Sequence, residues 1–249
     1  MTILGHLKKH PGTNPQIFEA TVTDFDSSNI QFEHTEFYPK GGGQPADRGT
    51  LIGENFRCRV FDVLKVGDSV NHNISELEGT PTIGESLTCE IDNDWRNQLS
   101  AMHTAQHIIS ALSHEEWGAE TVGNQIGYEK TRIDLKFEDR DKFVAEHLES
   151  IVNDTLRRNL EVSMDFRPSK DLIEDPLVRV NMERMPPDID TWRTITIGDL
   201  DVCPCAGTHV LNTQQIPSIE ITRVKSKGAG RLRVEYVMSE RYRDFEVLK

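Results

Sequence analysis

The run Leu87-Thr-Cys-Glu-Ile-Asp-Asn-Asp-Trp-Arg-Asn-Gln-Leu-Ser-Ala-Met-His-Thr-Ala-Gln-His107 decides the architecture, because its hydrophobic period changes midway. Leu87, Cys89 and Ile91 alternate as in a half-buried strand, whereas Trp95, Leu99, Met102, Ile109 and Leu112 recur at helical spacing up to Trp117. Asp92 or Asp94 supplies the carboxylate that caps such a helix. A boundary therefore falls near residue 92, giving a first domain over 1–91 and a second over 92–249. Upstream, strand-like alternation covers 17–22, 30–32, 56–64 and 87–91 with glycine and Asp26-Ser-Ser-Asn29 punctuation, and no helical period competes. This predicts a small antiparallel β-barrel, interrupted by the loop Phe37-Tyr-Pro-Lys-Gly-Gly-Gly-Gln-Pro-Ala-Asp-Arg-Gly49, whose glycines and prolines exclude regular structure.

Downstream, Phe143, Val144, Leu148, Ile151, Val152, Leu156 and Leu160 mark a second helix. Strands are expected over 131–137, 160–166 and 194–197. Ile219, Ile221, Leu232, Val234 and Tyr236 flank Lys227-Gly-Ala-Gly230 as a hairpin. The second domain is thus an α/β two-layer unit with an antiparallel sheet, and the fold class is α+β. Residues 171–190, with their prolines, read as a long surface excursion.

Composition bounds the function. The 249 residues carry a formal net charge of −13 and are 36% hydrophobic, and no apolar run reaches spanning length, so no membrane partner is expected. No export signal is read, which makes a soluble, cytoplasmic chain the expectation. The overall charge repels polyanions at long range, so DNA is not expected as a partner and any nucleic-acid contact requires a local basic patch. Arg223, Lys225, Lys227, Arg231 and Arg233 form such a patch around the hairpin turn, without an acidic residue among them.

His103 and His107 lie four residues apart on the first helix, so their imidazoles leave the same face about 40° apart. Cys205 and His209 share a loop in Asp201-Val-Cys-Pro-Cys-Ala-Gly-Thr-His209. Three nitrogens and one sulfur complete a tetrahedral site that favours zinc over the oxygen-seeking calcium and magnesium. Cys203 is read as a buried thiol beside the site, since Pro204 stiffens the dipeptide. Cys58 and Cys89 are read as core residues. Gly41, Gly42 and Gly43 with Gln44 either permit a tight chain path or let backbone approach a partner closely. A phosphate loop of the nucleotide-hydrolase type is excluded, because no Lys followed by Ser or Thr comes after the glycines.

These motifs together identify a resemblance. His103-Thr-Ala-Gln-His107, Cys205-Ala-Gly-Thr-His-Val210 and Phe37-Tyr-Pro-Lys-Gly-Gly-Gly-Gln44 with Asp47 and Gly49, in that order, resemble the stand-alone alanyl-tRNA editing proteins. That family is similar to the editing domain of alanyl-tRNA synthetase. The resemblance implies a zinc-containing, trans-acting deacylase for tRNA(Ala) mischarged with serine, and for glycine as a further substrate. It implies His103, His107, Cys205 and His209 as ligands, and a pocket built from Gly123-Asn-Gln-Ile-Gly127, with Gln125 facing the amino acid and Gly127 and Thr104 beside it. It also tilts the Gly41–Gln44 loop and the basic hairpin toward the tRNA acceptor end and its phosphates. Two departures stand out: Ala206 where glycine is common, and Tyr128 where a serine often follows the pocket glycine. A tRNA-binding module that keeps zinc only for folding, and a zinc hydrolase of small esters with no RNA partner, are the competing readings.

Overall fold

The computed structural model describes residues 1–10, 17–179 and 189–242, in two compact units, Met1–Asn97 and Gln98–Lys249. In the first unit a short strand β1 (Ile3–Leu4) and the one-turn helix α1 (Gly5–Lys8) precede β2 (Ile17–Phe25), β3 (Asn29–Phe32), β4 (His34–Thr35), β5 (Gly49–Ile52), β6 (Arg57–Val66), β7 (Ser69–Glu78) and β8 (Ser86–Ile91). Six of these strands close a barrel in the order β2-β3-β7-β6-β5-β8, every pairing antiparallel. The period of two turns alternate residues inward, and Phe32, Phe37, Leu51, Cys58, Leu87 and Cys89 fill the interior. Burial pushes the Cys58 thiol up to about 12 and that of Cys89 higher still, so both act as small apolar residues.

The glycine-rich loop is tied by a buried ion pair to Arg96, in the helical turn that follows β8. Arg96 Nε donates to Asp47 Oδ1 and Oδ2 at 2.8 and 2.9 Å, and its Nη2 donates to Asp47 and to the Glu36 carbonyl. Asp47 also accepts from the Tyr38 backbone N–H, which closes the loop base. Lys40, Gly41, Gly42 and Gly43 are exposed at the tip, while Gln44 is buried.

His72 is the polar exception in the barrel core. Its Nε2 lies 2.8 Å from Thr35 Oγ1 and its Nδ1 3.1 Å from the Ile30 carbonyl. Burial lowers its pKa from 6.5 to about 4, against the weaker upward pull of the Ile30 and Val70 backbone. Between those values the unfolded chain binds the extra proton, so this contribution to stability is complete above 6.5 and fades as pH falls toward 4. We expect the barrel to lose about 2 kcal/mol from this group between pH 7 and pH 5. Hydrogen exchange of its strand amides measures the loss, and His72→Gln should remove this pH-dependent part.

Helix α2 (Asn93–Trp117) begins in the last residues of the first unit and continues in the second. Asp92 caps it, with Oδ1 accepting from Trp95 N at 3.0 Å. Gly118, at φ 64°, ends it in the left-handed region, with Gly118 N donating to His114 O and Ala119 N to Ser113 O. The second unit then holds β9 (Glu120–Gln125), β10 (Thr131–Lys136), α3 (Ala145–Arg157), β11 (Val162–Pro168), α4 (Ser169–Ile173), β12 (Thr191–Ile197), β13 (Asp201–Pro204), β14 (Ile219–Ser226) and β15 (Arg231–Met238). One sheet has the order β14-β15-β10-β9 and another β11-β12-β13, both antiparallel throughout. Helix α3 is stitched to β14 by Asn153, which bonds both the N–H and the carbonyl of Ile219, and by Glu149, which accepts from Ile221 N.

The structure differs from the sequence reading at three places. Residues 201–204 form an edge strand rather than loop, because Pro204 sits at the end of that strand, where a missing N–H costs little. β1, β4, β5, β7 and β9 are strands beyond those expected. The expected excursion over 171–190 begins inside α4, whose Leu172 is buried, and its residues 180–188 lie outside the described residues. Among the described residues, no helix is long and apolar enough to cross a membrane.

Candidate metal centre

From residue 98 to 109 every side chain of α2 is buried, so the polar ones there require partners. They find them in the segment after β13. Ser100 Oγ donates to Thr208 Oγ1 at 2.8 Å, and Thr104 Oγ1 accepts from Val210 N at 3.3 Å, which seats residues 205–210 on the helix. This seating brings His103, His107, Cys205 and His209 together, with one ligating atom from each lying within 4.8 Å of all the others. Cys205 Sγ is 3.8 Å from His103 Nε2 and 3.4 Å from His209 Nε2, and the His103 and His107 ring centroids are 5.1 Å apart.

The outward-facing ring nitrogens are held from behind. His107 Nδ1 lies 3.0 Å from Asp201 Oδ2, and His209 Nδ1 lies 3.1 Å from Thr104 Oγ1. Thr104 spends its own proton on the Ser100 carbonyl, so it accepts from His209 and leaves His209 Nε2 as a lone-pair donor toward the cluster. Thr104 is completely buried and thus stands behind a ligand. The cluster's electrostatics suit cation binding. Burial raises Cys205, yet the electrostatic pull of the neighbouring imidazoles, His103 foremost, outweighs it and holds the thiol well below its ordinary range, in the ligating thiolate form. Gly207 N adds a hydrogen bond to that sulfur at 3.3 Å. Burial lowers His107, but the Asp201 carboxylate and the Cys205 sulfur reverse this and lift it to about 10, so a metal ion entering the cluster displaces the proton on Nε2 while Nδ1–H stays with Asp201. Burial, followed by the neighbouring His103, keeps His209 well below 6.5 and so neutral. Burial and the adjacent Asp201 push Cys203 far above the thiol range, and Cys203 is not one of the four clustered residues.

The remaining residues singled out from the sequence are not among the four clustered ones. Gln125 ends β9 opposite Arg132, exposed, and its Oε1 accepts from Arg132 Nε at 3.0 Å. Gly127 packs so tightly that a Cβ there meets the Lys130 carbonyl at 2.3 Å. In the hairpin, Gly228, Ala229 and Gly230 all have φ between 48° and 71°. Arg223, Lys225, Lys227 and Arg231 are exposed. Arg233 is different: its Nε and Nη2 bond Asp134 Oδ1 and Oδ2 at 2.7 and 2.9 Å, a bidentate pair across the sheet. The cross-strand register also sets Arg223 opposite Glu235. The loop Gly41–Gln44 belongs to the first unit and is described there.

Sequence reasoning missed Asp201 and Arg179, whose Nη2 donates to Asp201 Oδ1 and to the Leu200 carbonyl. Asp201 stood inside the cysteine motif, but its aim at His107 follows from the pairing of β13 with β12, which spacing alone does not reveal.

Comparison with known proteins places the chain in a family. A family profile described as tRNA synthetases class II (A) matches residues 13–95, and one described as the threonyl and alanyl tRNA synthetase second additional domain matches residues 192–235. The alanyl-tRNA editing protein AlaX-M of Saccharolobus solfataricus is 30% identical over 223 residues, covering 89% of this chain and 93% of that protein. The protein of the same name from Methanosarcina acetivorans is 33% identical over 233 residues, covering 89% and 94%. An alanine–tRNA ligase of Methanoregula boonei is 35% identical over 235 residues, which are 88% of this chain and 24% of the ligase. With the two AlaX-M proteins matched along nearly their whole length, this chain belongs to the AlaX family of alanyl-tRNA editing proteins.

Proposed function

We propose that this protein is a trans-acting aminoacyl-tRNA deacylase that hydrolyses the ester of tRNA(Ala) mischarged with serine, and with glycine as a second substrate. The gathering of His103, His107, Cys205 and His209 within 4.8 Å carries the reading, in a chain whose relatives are named alanyl-tRNA editing proteins. Three imidazoles and a thiolate, with two of the imidazoles fixed through Nδ1, fit zinc in donor type and number. When bound there, zinc supplies Lewis acidity.

An aminoacyl ester is already activated, so the rest of the task is placing a water and polarising one carbonyl. We assign the amino-acid contact to Gln125. Its oxygen is engaged by Arg132, which turns its NH2 group into the donor for a serine hydroxyl or the ester carbonyl. Gly127 keeps the neighbouring backbone open where a side chain clashes, and Thr104 acts by orienting His209. Arg223, Lys225, Lys227 and Arg231, with Arg233 in part, are assigned to tRNA phosphates, and Gly41, Gly42, Gly43 and Gln44 to the acceptor end. We assign the activity to the cytoplasm, where tRNA is charged.

Hydrolysis of seryl-tRNA(Ala), glycyl-tRNA(Ala), alanyl-tRNA(Ala) and a free seryl ester tests the reading. We expect turnover of the mischarged tRNAs, sparing of alanyl-tRNA(Ala), and a free ester at least about tenfold slower, since remote binding energy is lost with the tRNA. Binding without turnover makes the chain a tRNA-binding module instead, and equal turnover of the free ester makes it a small-ester hydrolase. Binding is also expected to weaken as salt rises. In filter binding, Lys225→Ala and Arg231→Ala should each reduce the log–log salt slope by about 1.

A further inference from the structure

Asp201 is buried at the start of the edge strand β13, and its two oxygens have separate tasks. Oδ2 meets His107 Nδ1 at 3.0 Å, while Oδ1 accepts from Arg179 Nη2, which also donates to the Leu200 carbonyl at 2.8 Å. The segment bearing Arg179 is held beside β13. Val178 forms a parallel bridge to Val202, and Val202 N donates to Leu177 O at 3.4 Å. Asp175 fastens its turn by accepting from Leu177 N at 2.9 Å and from Arg167 Nη1 at 2.6 Å.

A carboxylate on Nδ1 fixes the ring's tautomer and rotation and leaves Nε2 as the donor toward the cluster. A guanidinium on the second oxygen keeps that carboxylate from swinging away, and does so from a different stretch of chain. His209 has only a hydroxyl in the equivalent position, so the two ligands are not held alike. We propose that Arg179 and Asp201 form a positioning relay for His107 that slows release of the metal ion from the four-residue cluster. The inference rests on the metal reading above. Neither residue is placed in contact with substrate.

The test is the rate at which zinc-loaded protein yields its ion to a chromophoric chelator. Wild type, Asp201→Asn, Arg179→Gln and the double variant are compared, with folding checked by far-UV circular dichroism. Asp201→Asn is expected to release zinc about 10- to 100-fold faster. Arg179→Gln should fall between it and wild type. The double variant should match Asp201→Asn within about twofold, because Arg179 acts through Asp201. With cobalt(II) in place of zinc, Asp201→Asn should show altered d–d bands at unchanged secondary structure, which a loss of packing elsewhere does not produce. If Asp201→Asn fails to fold, Arg179→Gln decides: release at least about threefold faster supports the relay, and an unchanged rate overturns it. Release rates in both variants equal to wild type, or additive effects in the double variant, also overturn it. A wild-type chain that takes up no zinc overturns the metal reading and this inference with it. A wild-type chain that holds zinc no better than its variants overturns this inference alone.

Discussion

Cys205→Ala is expected to lose bound zinc and to lower deacylation of seryl-tRNA(Ala) by at least about a hundredfold, whereas Cys203→Ala keeps most of both. The two thiols are separated by one proline but live in opposite environments. Cys205 lies 3.8 and 3.4 Å from the Nε2 atoms of His103 and His209, and the pull of His103 foremost holds it as a thiolate against the effect of burial. Cys203 is outside the cluster, and burial together with Asp201 keeps it protonated. A thiol that resists ionisation is a poor zinc ligand, since the metal binds the deprotonated form. His103→Ala should behave as Cys205→Ala does. Elemental analysis beside the hydrolysis assay reads both quantities, and a Cys205 variant with full zinc and normal turnover refutes the assignment.

Asp47→Ala is expected to destabilise the barrel unit by about 3–5 kcal/mol, because it strands the buried Arg96 guanidinium. The side chains are 2% and 0% exposed, and Asp47 also loses its bond to the Tyr38 N–H at the base of the glycine-rich loop. An exposed pair on the same barrel provides the contrast. Arg59 and Glu76 approach to 3.9 Å with side chains 60% and 68% exposed, so Arg59→Ala should stay within about 1 kcal/mol of wild type. Because the chain has two units, a single global unfolding curve does not isolate this effect. Hydrogen exchange of the barrel amides does. Unchanged protection in Asp47→Ala contradicts the structural role given to the pair.

How much of this was legible in the sequence depended on whether the deciding information was local. Helix α2, expected to run from about residue 92 to Trp117, spans Asn93–Trp117, because a capping aspartate, apolar spacing and a terminal glycine all lie in one stretch. The barrel was legible for the same reason, except at the four-residue β5, which follows directly on the glycine-rich loop, and at β7. In β7 the inward residues are Val70, His72 and Ile74, and a buried histidine at the middle position hides the alternation. β9 escaped because none of its residues is fully buried, so no hydrophobic period marks it.

Spacing also brought out the four clustered side chains, since i to i+4 geometry on a helix and a three-residue gap in a loop are local facts. What holds them was not legible. Asp201 reaches His107 through strand register, Arg179 arrives from a separate segment, and Thr104, expected beside the amino-acid pocket, stands behind His209. The basic hairpin illustrates the same limit from the other side. Arg223, Lys225, Lys227, Arg231 and Arg233 are free of acids along the chain, but β10 lays Asp134 beside Arg233, and Glu235 sits opposite Arg223. Charge along a segment and charge across a sheet are different quantities.

Zinc K-edge X-ray absorption of the purified protein tests the metal centre most directly. One ion per chain is expected, with a single sulfur at about 2.3 Å and nitrogen donors at about 2.0 Å. A shell without sulfur, or a chain that holds no zinc, refutes the assignment of Cys205 and the three histidines as ligands.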